Sequence, residues 1–169
     1  RDPARPGPGA ARRGVNVLAA YQRISRWPAG RWLFSRLVCW KAPYFASIAP
    51  RIESLEPGRG IATLAHRRRV TNHLGTVHAI ALCNLAEFVG GLACDVSIPP
   101  SMRWIPKGMT VAYLKKAVGR MRATATPAFP PREAEAGYEL PFEVVVEDPA
   151  GDVVFRATIA MWVSPKSAR

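Results

Sequence analysis

The feature that most constrains the fold is an apolar segment, residues 70–94, which carries a single formal charge, Glu87. Its helix-forming residues predict one long helix, roughly residues 77–93, that is apolar on nearly every side and must therefore be buried. Charged side chains are almost never buried without a partner or a task. Glu87 is therefore the first candidate functional residue of this sequence.

A membrane-spanning interpretation of this segment is possible by length, since residues 74–94 are almost long enough to cross a bilayer. The stretch also contains His78 and Asn84, and basic residues lie on both sides of it, so no orientation is favoured. A buried helix is the preferred interpretation, and no membrane span is predicted. The adjacent Gly90 and Gly91 are expected to allow close approach of another backbone.

The N-terminal part of the chain predicts two helices. Residues 15–27 and 31–41 each carry apolar residues at helical spacing, with the basic residues expected on the outer side. Pro28 and Gly30 separate the two patterns. The apolar positions that define the second helix are Trp32, Leu33, Leu37 and Trp40. A short helix or turn is expected over the aromatic sequence PYFASIAP that follows.

The remaining segments predict β-structure. Two short strands, residues 51–55 and 60–65, surround the turn EPGRG and precede the long helix. After the helix, about four antiparallel strands are expected, the last two joined as a hairpin by DPAGD. Those four lie at residues 109–114, 120–126, 139–147 and 153–163. One apolar helix wrapped by a sheet is an α+β layered fold.

These elements predict one domain over residues 15–169, with a helical extension at residues 15–49. Residues 1–14 are rich in Pro, Gly and Arg and are expected to be a disordered tail.

The net charge of +12 implies affinity for an anionic partner: nucleic acid, a membrane surface, or a phosphorylated small molecule or cofactor. No aromatic–basic recognition module is visible, so nucleic acid is not the predicted partner. The three cysteines lack paired spacing and the three histidines lack a metal-ligand pattern. No disulfide framework and no metal site are expected, and a reducing, cytoplasmic location fits. Cys83 and Cys94 are predicted to be small core residues.

The spacing of Asn72, His78 and the triplet Leu85, Ala86 and Glu87 resembles a motif of hotdog-fold acyl-CoA thioesterases. The resemblance is to the phenylacetate-pathway type and to a less characterised thioesterase-like branch. In that motif an Asn or Gln stands six residues before the His of a His-Gly-Gly sequence, and an acidic residue stands nine residues after that His. Asn72, His78 and Glu87 have the same spacing. The strand sequence IPKGMTVAYLKKAVGRMRATAT is also similar to the family's second and third strands, and the likeness covers about residues 50–165.

The resemblance implies a hotdog fold, with an antiparallel sheet around the central helix, and a homodimer or a dimer of dimers. It also implies hydrolysis of an acyl thioester, with coenzyme A as part of the substrate and no separate cofactor. The catalytic candidates that it carries over are Glu87, Asn72, His78 and the backbone N–H of Ala79. Ala79 and Ile80 stand where the family has two glycines, and Ile80 adds bulk where the thioester would lie.

Helix geometry separates the two central groups of this site. A helix that begins near His78 has a free N–H at Ala79, at the positive end of its dipole, which can hold an oxyanion. Glu87 lies eight residues later, about 12 Å along the axis at roughly 1.5 Å per residue. One carbonyl cannot easily touch both groups, so the sequence predicts a two-fold dimer in which each chain supplies one of them.

The substrate-binding candidates are Ile80, Gly91, Lys115, Lys116, Arg120 and Arg122, the four basic residues as contacts for coenzyme A phosphates. Each candidate also has a structural alternative. Glu87 could pair with a buried Arg or a helix end, Asn72 could cap the helix or end the strand, and His78 could be structural. The basic residues could be an ordinary solvated face. Gly90 and Gly91 could pack against the sheet or a second copy, and Arg67, Arg68 and Arg69 are read as a solvated strand end. The rival functions are a non-catalytic acyl-CoA or fatty-acyl binder and a nucleic-acid or membrane-surface protein.

Overall fold

Six antiparallel strands form one sheet around a long helix, α3 (Ala79–Ser97), in the computed structural model of the protein, which describes residues 16–166. Helix α3 contacts every strand of the sheet and completely buries Leu85, Phe88 and Val89. By length and composition α3 is apolar enough to cross a membrane, but most of it is buried inside the domain. The predicted α+β hotdog architecture is therefore confirmed. The expected disordered tail, residues 1–14, lies outside the described residues.

The other elements agree with the predicted order along the chain. They are α1 (Val17–Ile24), α2 (Gly30–Lys41), a first 3₁₀ helix (Pro43–Ser47), β1 (Arg51–Glu56), β2 (Arg59–Leu64), a second 3₁₀ helix (Arg68–Val70), β3 (Met102–Tyr113), β4 (Met121–Pro127), β5 (Tyr138–Glu147) and β6 (Val153–Pro165). In the sheet the strands lie in the order β1-β2-β4-β5-β6-β3, which leaves β1 and β3 as its edges.

The core of the sheet follows the apolar alternation of the sequence. On β4, Met121, Ala123 and Ala125 are fully buried, and β5 buries Phe142 and Val144 in the same way. The predicted β5–β6 hairpin is confirmed. Its turn is held by the Asp148 carboxylate, whose Oδ1 accepts hydrogen bonds from the backbone N–H groups of residues 150 and 152 at 2.9 and 3.0 Å.

The largest boundary differences from the prediction are in three elements. Helix α1 spans Val17–Ile24 and not residues 15–27. Helix α3 spans Ala79–Ser97 and not residues 77–93, and Gly90 and Gly91 lie inside it as predicted. Strand β3 begins at Met102 and not at residue 109. It runs through Pro106 because it is an edge strand with a bulge there, where a missing N–H is tolerated.

The two glycines of α3 approach side chains and not another backbone, so that expectation is wrong. A Cβ on Gly90 would lie 2.7 Å from Ile159 Cδ1, and one on Gly91 would lie 2.9 Å from Trp104 Cη2. At both positions the absence of a Cβ lets a side chain of the sheet pack directly against the backbone of α3.

Helix α2 presents the opposite face from the one predicted. It buries Phe34, Ser35 and Cys39, while the residues that define its apolar pattern are exposed. The Ser35 hydroxyl accepts a hydrogen bond from Ile52 N–H of β1 at 2.9 Å, and Phe34 packs edge-on against Tyr21 of α1. Contacts with α1 and β1, and not the content of large apolar residues, thus determine which side of α2 is covered.

Candidate functional site

The start of α3 is positioned by a short loop, residues 72–76, that the Asn72 side chain organises. Asn72 Oδ1 accepts hydrogen bonds from the N–H groups of Leu74 at 3.0 Å and Thr76 at 3.2 Å, and Nδ2 donates to Thr76 Oγ1 at 2.9 Å. The predicted catalytic amide is therefore held inside its own loop and does not cap α3, and its catalytic role stays a prediction. The second hydrogen on Asn72 Nδ2 can still donate a hydrogen bond to a substrate or a water molecule.

His78 is the N-cap of α3. Its backbone is extended, and its Nδ1 accepts a hydrogen bond from Ile80 N–H at 3.1 Å, which requires the tautomer with the proton on Nε2. The exposed ring thus stabilises the helix start, and its catalytic role stays a prediction.

The Ala79 N–H is the first amide of α3. No described residue accepts a hydrogen bond from it. It lies at the positive end of a 19-residue helix dipole, where a developing negative charge is favoured. This amide therefore has the chemistry of the predicted oxyanion donor.

Glu87 is exposed in the single chain, although its helix is mostly buried. No described Lys, Arg or His lies within ion-pair distance of its carboxylate, so the alternative of a paired structural carboxylate has no support in the described residues. By helical spacing Ile80, Cys83 and Glu87 lie on one stripe of α3. A free carboxylate thus stands on an otherwise largely apolar stripe.

The stripe lies next to the edge strand β3. Cys83 Sγ is 3.2 Å from the Tyr113 hydroxyl, and the Trp104 ring of β3 covers Gly91. The hydrogen bond with Cys83 raises the pKa of Tyr113 to about 12. Cys94 is a fully buried core thiol, as predicted, but Cys83 is only half-buried at this junction of α3 and β3. The packing of Gly91 against Trp104 agrees with its structural alternative, and its role in substrate binding stays a prediction.

The four basic candidates divide into two kinds. Lys115 Nζ lies 3.1 Å from Asp152 Oδ2, and Arg122 Nη1 lies 4.0 Å from Glu147 Oε2. Lys116 and Arg120 are exposed and have no ion-pair partner among the described residues.

The loop that carries these basic residues is anchored beside the start of α3. Val77 N–H donates to Ala117 O at 2.8 Å, and Gly119 N–H donates to His66 Nδ1 at 2.9 Å. The loop therefore brings Lys116 and Arg120 towards the helix N-terminus, where the predicted oxyanion donor also lies.

A cleft beside the helix start contains residues that the sequence did not single out. It has a volume of about 190 Å³ and lies between the two 3₁₀ helices and α3. The lining residues are Tyr44, Ser47, Ile48, Arg69, Val70, Thr71, His78, Ile80, Ala81 and Asn84.

Asn84 is the unusual group in this cleft. It is only 6% exposed, its Nδ2 donates to Ser47 Oγ at 3.2 Å, and its Oδ1 has no hydrogen-bond partner among the described residues. A buried amide oxygen without a partner costs roughly 1–3 kcal/mol. The sequence indicates Asn84 only as a polar residue inside an apolar helix. Its hydrogen-bond partner, Ser47, lies in a distant segment and could not be predicted.

Arg67 and Arg69 were predicted to be a solvated strand end, but each has a more specific position in the structure. Arg67 Nη2 donates to Ile48 O at 2.9 Å, which ties this segment to the helical extension, and Arg69 lines the cleft.

Comparison with known proteins identifies the family of the chain. A family model described as a domain of unknown function, DUF4442, matches residues 30–163. The crystal structure named genomics APC5556 is 44% identical, with a TM-score of 0.76, and the match covers 89% of this chain and 99% of that chain. No curated protein matches the sequence.

Solved thioesterases have the same fold at lower identity. PA5026 from Pseudomonas aeruginosa, described as a protein of unknown function and probable thioesterase, is 24% identical over 83% of this chain and 97% of that chain, with a TM-score of 0.68. The thioesterase HI1161 from Haemophilus influenzae is 15% identical over 72% and 82%, with a TM-score of 0.63. At these identities the likeness establishes the fold.

Proposed function

The chain belongs to the DUF4442 family and has the hotdog fold, and we propose that it hydrolyses acyl-CoA thioesters as a homodimer, alone or as a dimer of dimers. The observation that carries this proposal is Glu87, an exposed carboxylate without an ion-pair partner in the described residues, on the same helix as the free Ala79 N–H. The thioesterases of the same fold support the reaction class.

In the proposed reaction the thioester carbonyl oxygen accepts a hydrogen bond from Ala79 N–H of one chain. Glu87 of the second copy removes a proton from a water molecule, which attacks the carbonyl carbon and forms a tetrahedral oxyanion. The oxyanion collapses, the C–S bond breaks, and the proton on Glu87 passes to the leaving thiolate. The products are a carboxylic acid and free coenzyme A. In the alternative covalent route the Glu87 carboxylate itself attacks the carbon, the C–S bond breaks and coenzyme A leaves as the thiolate, which takes up a proton. Water then hydrolyses the mixed anhydride to the carboxylic acid and the free Glu87 carboxylate.

The need for a second copy follows from the spacing along α3. Ala79 and Glu87 are eight residues apart, about 12 Å at roughly 1.5 Å per residue, so one chain cannot present both to one carbonyl. Strand β3 is a 12-residue edge beside the Glu87 stripe, and such an edge is a ready template for pairing with another chain. Exposed apolar side chains at Ile80, Ile105 and Leu114 support the same assignment.

Lys116 and Arg120 are the proposed contacts for the phosphates of coenzyme A, since they carry no ion pair among the described residues and their loop is anchored at the helix start. Lys115 and Arg122 already neutralise acidic neighbours and would contribute less. The three cysteines are free thiols, which supports a reducing compartment such as the cytoplasm.

The test is steady-state hydrolysis of an acyl-CoA panel by the wild type and by Glu87→Gln and Glu87→Ala. General base catalysis predicts that kcat falls about 100-fold or more in both variants, with KM little changed. Glu139→Gln, which changes an exposed glutamate on β5, is the matched control and should keep the wild-type rate. Equal rates in the wild type and both Glu87 variants would sink the proposal.

A non-catalytic acyl-CoA binder is the second candidate. Two observations favour it: the Asn72 amide is occupied within its loop, and Ile80, 56% exposed, stands beside the oxyanion donor. Titration calorimetry with a non-hydrolysable thioether analogue of acyl-CoA measures binding apart from reaction. Tight binding by a wild type that hydrolyses nothing, with hydrolysis appearing in Ile80→Ala, would establish the binder. A wild type that hydrolyses and loses this activity on substitution of Glu87 would exclude it.

A further inference from the structure

The outward face of α2 is apolar where a surface helix is normally polar. Trp32 and Trp40 are 55% and 84% exposed, and Leu33 and Leu37 are also exposed. At 100° per residue these four positions and Arg36 share one face, opposite the buried Phe34 and Cys39. Contiguous exposed apolar surface of this kind marks an interaction site. We call the four apolar residues the α2 face.

The charged residues of the segment that carries the α2 face are all basic. Residues 16–52 contain no acidic residue, and their basic residues are Arg23, Arg26, Arg31, Arg36, Lys41 and Arg51. Arg31 and Arg51 pair with Glu53 of β1. The other four have no ion pair within the described part of the chain. The surface that this face meets must therefore accept apolar rings and cations together.

An anionic lipid bilayer has this chemistry. Trp rings favour the boundary between headgroups and acyl chains, and basic side chains gain about 1 kcal/mol each near an anionic membrane surface. A second copy of the chain would set like charges against each other, which disfavours it as the occupant. We propose that the α2 face docks α2 in the plane of an anionic bilayer, with Trp32 and Trp40 inserted and the basic residues against the headgroups.

The docked face is connected to the cleft beside the start of α3. Tyr44, four residues after Trp40, is 71% exposed and also lines the cleft with His78 and Ile80. Docking through α2 therefore brings the cleft close to the bilayer surface. Attachment to a bilayer through the α2 face does not depend on the proposed hydrolysis.

The test is co-sedimentation of the full chain with phosphatidylcholine vesicles, with and without 30% phosphatidylglycerol (a fraction of roughly the anionic content that such electrostatic binding requires). The wild type should bind the anionic vesicles, and binding should weaken at least tenfold when NaCl rises from about 0.05 to about 0.5 M, because salt screens the headgroup charge. Leu37→Ser with Trp40→Ser should lower the partition coefficient on anionic vesicles about tenfold or more, since their apolar burial is lost.

Phe129→Ser, an exposed aromatic on the loop between β4 and β5, is the matched control and should leave partitioning unchanged. The three substituted positions, Leu37, Trp40 and Phe129, are all exposed, so circular dichroism of each variant should match the wild type. The proposal would be overturned if the wild type did not bind the anionic vesicles. It would also be overturned if the Leu37 and Trp40 double variant bound them as well as the wild type does. Dissociation of a wild-type oligomer by that double variant without lipid would also overturn it, in favour of a contact between copies.

Discussion

Two surfaces of this protein expose apolar side chains, and they differ in what else they expose. The α3–β3 face, formed by Ile80, Cys83 and Glu87 of α3 and the edge strand β3, presents a carboxylate and unpaired strand backbone. The α2 face presents apolar side chains on a segment whose charged residues are all basic, and its helical backbone is internally hydrogen-bonded. Backbone groups fix a register, so the α3–β3 face suits a second protein chain. A face without them suits a surface that has no register, such as a bilayer.

The largest expected effect comes from charging the strand edge. Ile105→Lys together with Thr110→Lys places two cations on the exposed side of β3, which opposes pairing with a second copy. We expect the dimer to dissociate at micromolar concentration, and hydrolysis to fall about 100-fold because each site loses its second half. Sedimentation velocity and kcat/KM measured on the same sample check this.

The Leu37→Ser and Trp40→Ser double variant is the counterpart on the other surface. It should keep the oligomeric state and the hydrolysis rate while it loses vesicle binding. A charged β3 variant that is monomeric and still fully active would contradict the shared site, and a persistent dimer would show that the copies do not meet at β3.

An intermediate effect is expected at the junction of α1 and α2. A Cβ on Gly30 would lie only 1.9 Å from the backbone oxygen of Ile24, so Gly30→Ala must push α1 away from α2. Overpacking of this kind costs about 2 kcal/mol, or roughly 4–8 °C in Tm for a chain of this size. Hydrogen exchange should increase in α1 and α2, while the amides of α3 remain protected.

Gly108→Ala is the control for this measurement, because a methyl group there meets nothing within 4 Å. Its Tm should stay within about 1 °C of the wild type. If both variants melt alike, or if exchange in α3 rises as much as in α1, the helical extension does not unfold independently of the central helix.

The smallest effect concerns the Cys83–Tyr113 contact at the α3–β3 face. The hydrogen bond raises the pKa of Tyr113 to about 12, so Cys83→Ala should lower it towards the ordinary tyrosine value. The pKa of Tyr113 is higher in the folded chain than in the unfolded chain. The contact with Cys83 therefore stabilises the folded state at pH values below the ordinary tyrosine pKa, and this stabilisation is lost as the pH rises through about 12.

Ultraviolet titration of tyrosinate in the wild type and in Cys83→Ala measures this shift. Cys39→Ala, which removes a buried thiol from α2, is the control and should leave the titration of Tyr113 unchanged. An identical alkaline midpoint in the wild type and Cys83→Ala would mean that the contact does not persist in solution.

Most of the fold was predictable because its signals are local. The alternation at Met121, Ala123 and Ala125 and the turn at Asp148 depend on neighbours within a few residues, and the structure agrees with both. The start of β3 was missed because Pro106 argues against a strand unless the strand is known to be an edge. That knowledge exists only once the strand order is known.

The candidate site was predictable only in part. Asn72, His78, Ala79 and Glu87 were predicted from the resemblance of one segment to a family motif. The structure places His78 and Ala79 at the helix start, Asn72 in the loop before it and Glu87 on an exposed stripe. The cleft was not predicted because it brings together Ser47 and Asn84, which are 37 residues apart in the sequence, and no local pattern predicts such a contact.

The sequence by itself determined which residues share a face of an element. Helical and strand periods are properties of the backbone, so Trp32, Leu33, Leu37 and Trp40 had to lie together, as did the alternating residues of β4. Only the tertiary structure decided which faces are covered: Phe34 fits against Tyr21, and Ser35 bonds to β1, so the α2 face points outward. Covering a face requires a complementary surface elsewhere in the chain, and that complementarity is a property of the packed molecule.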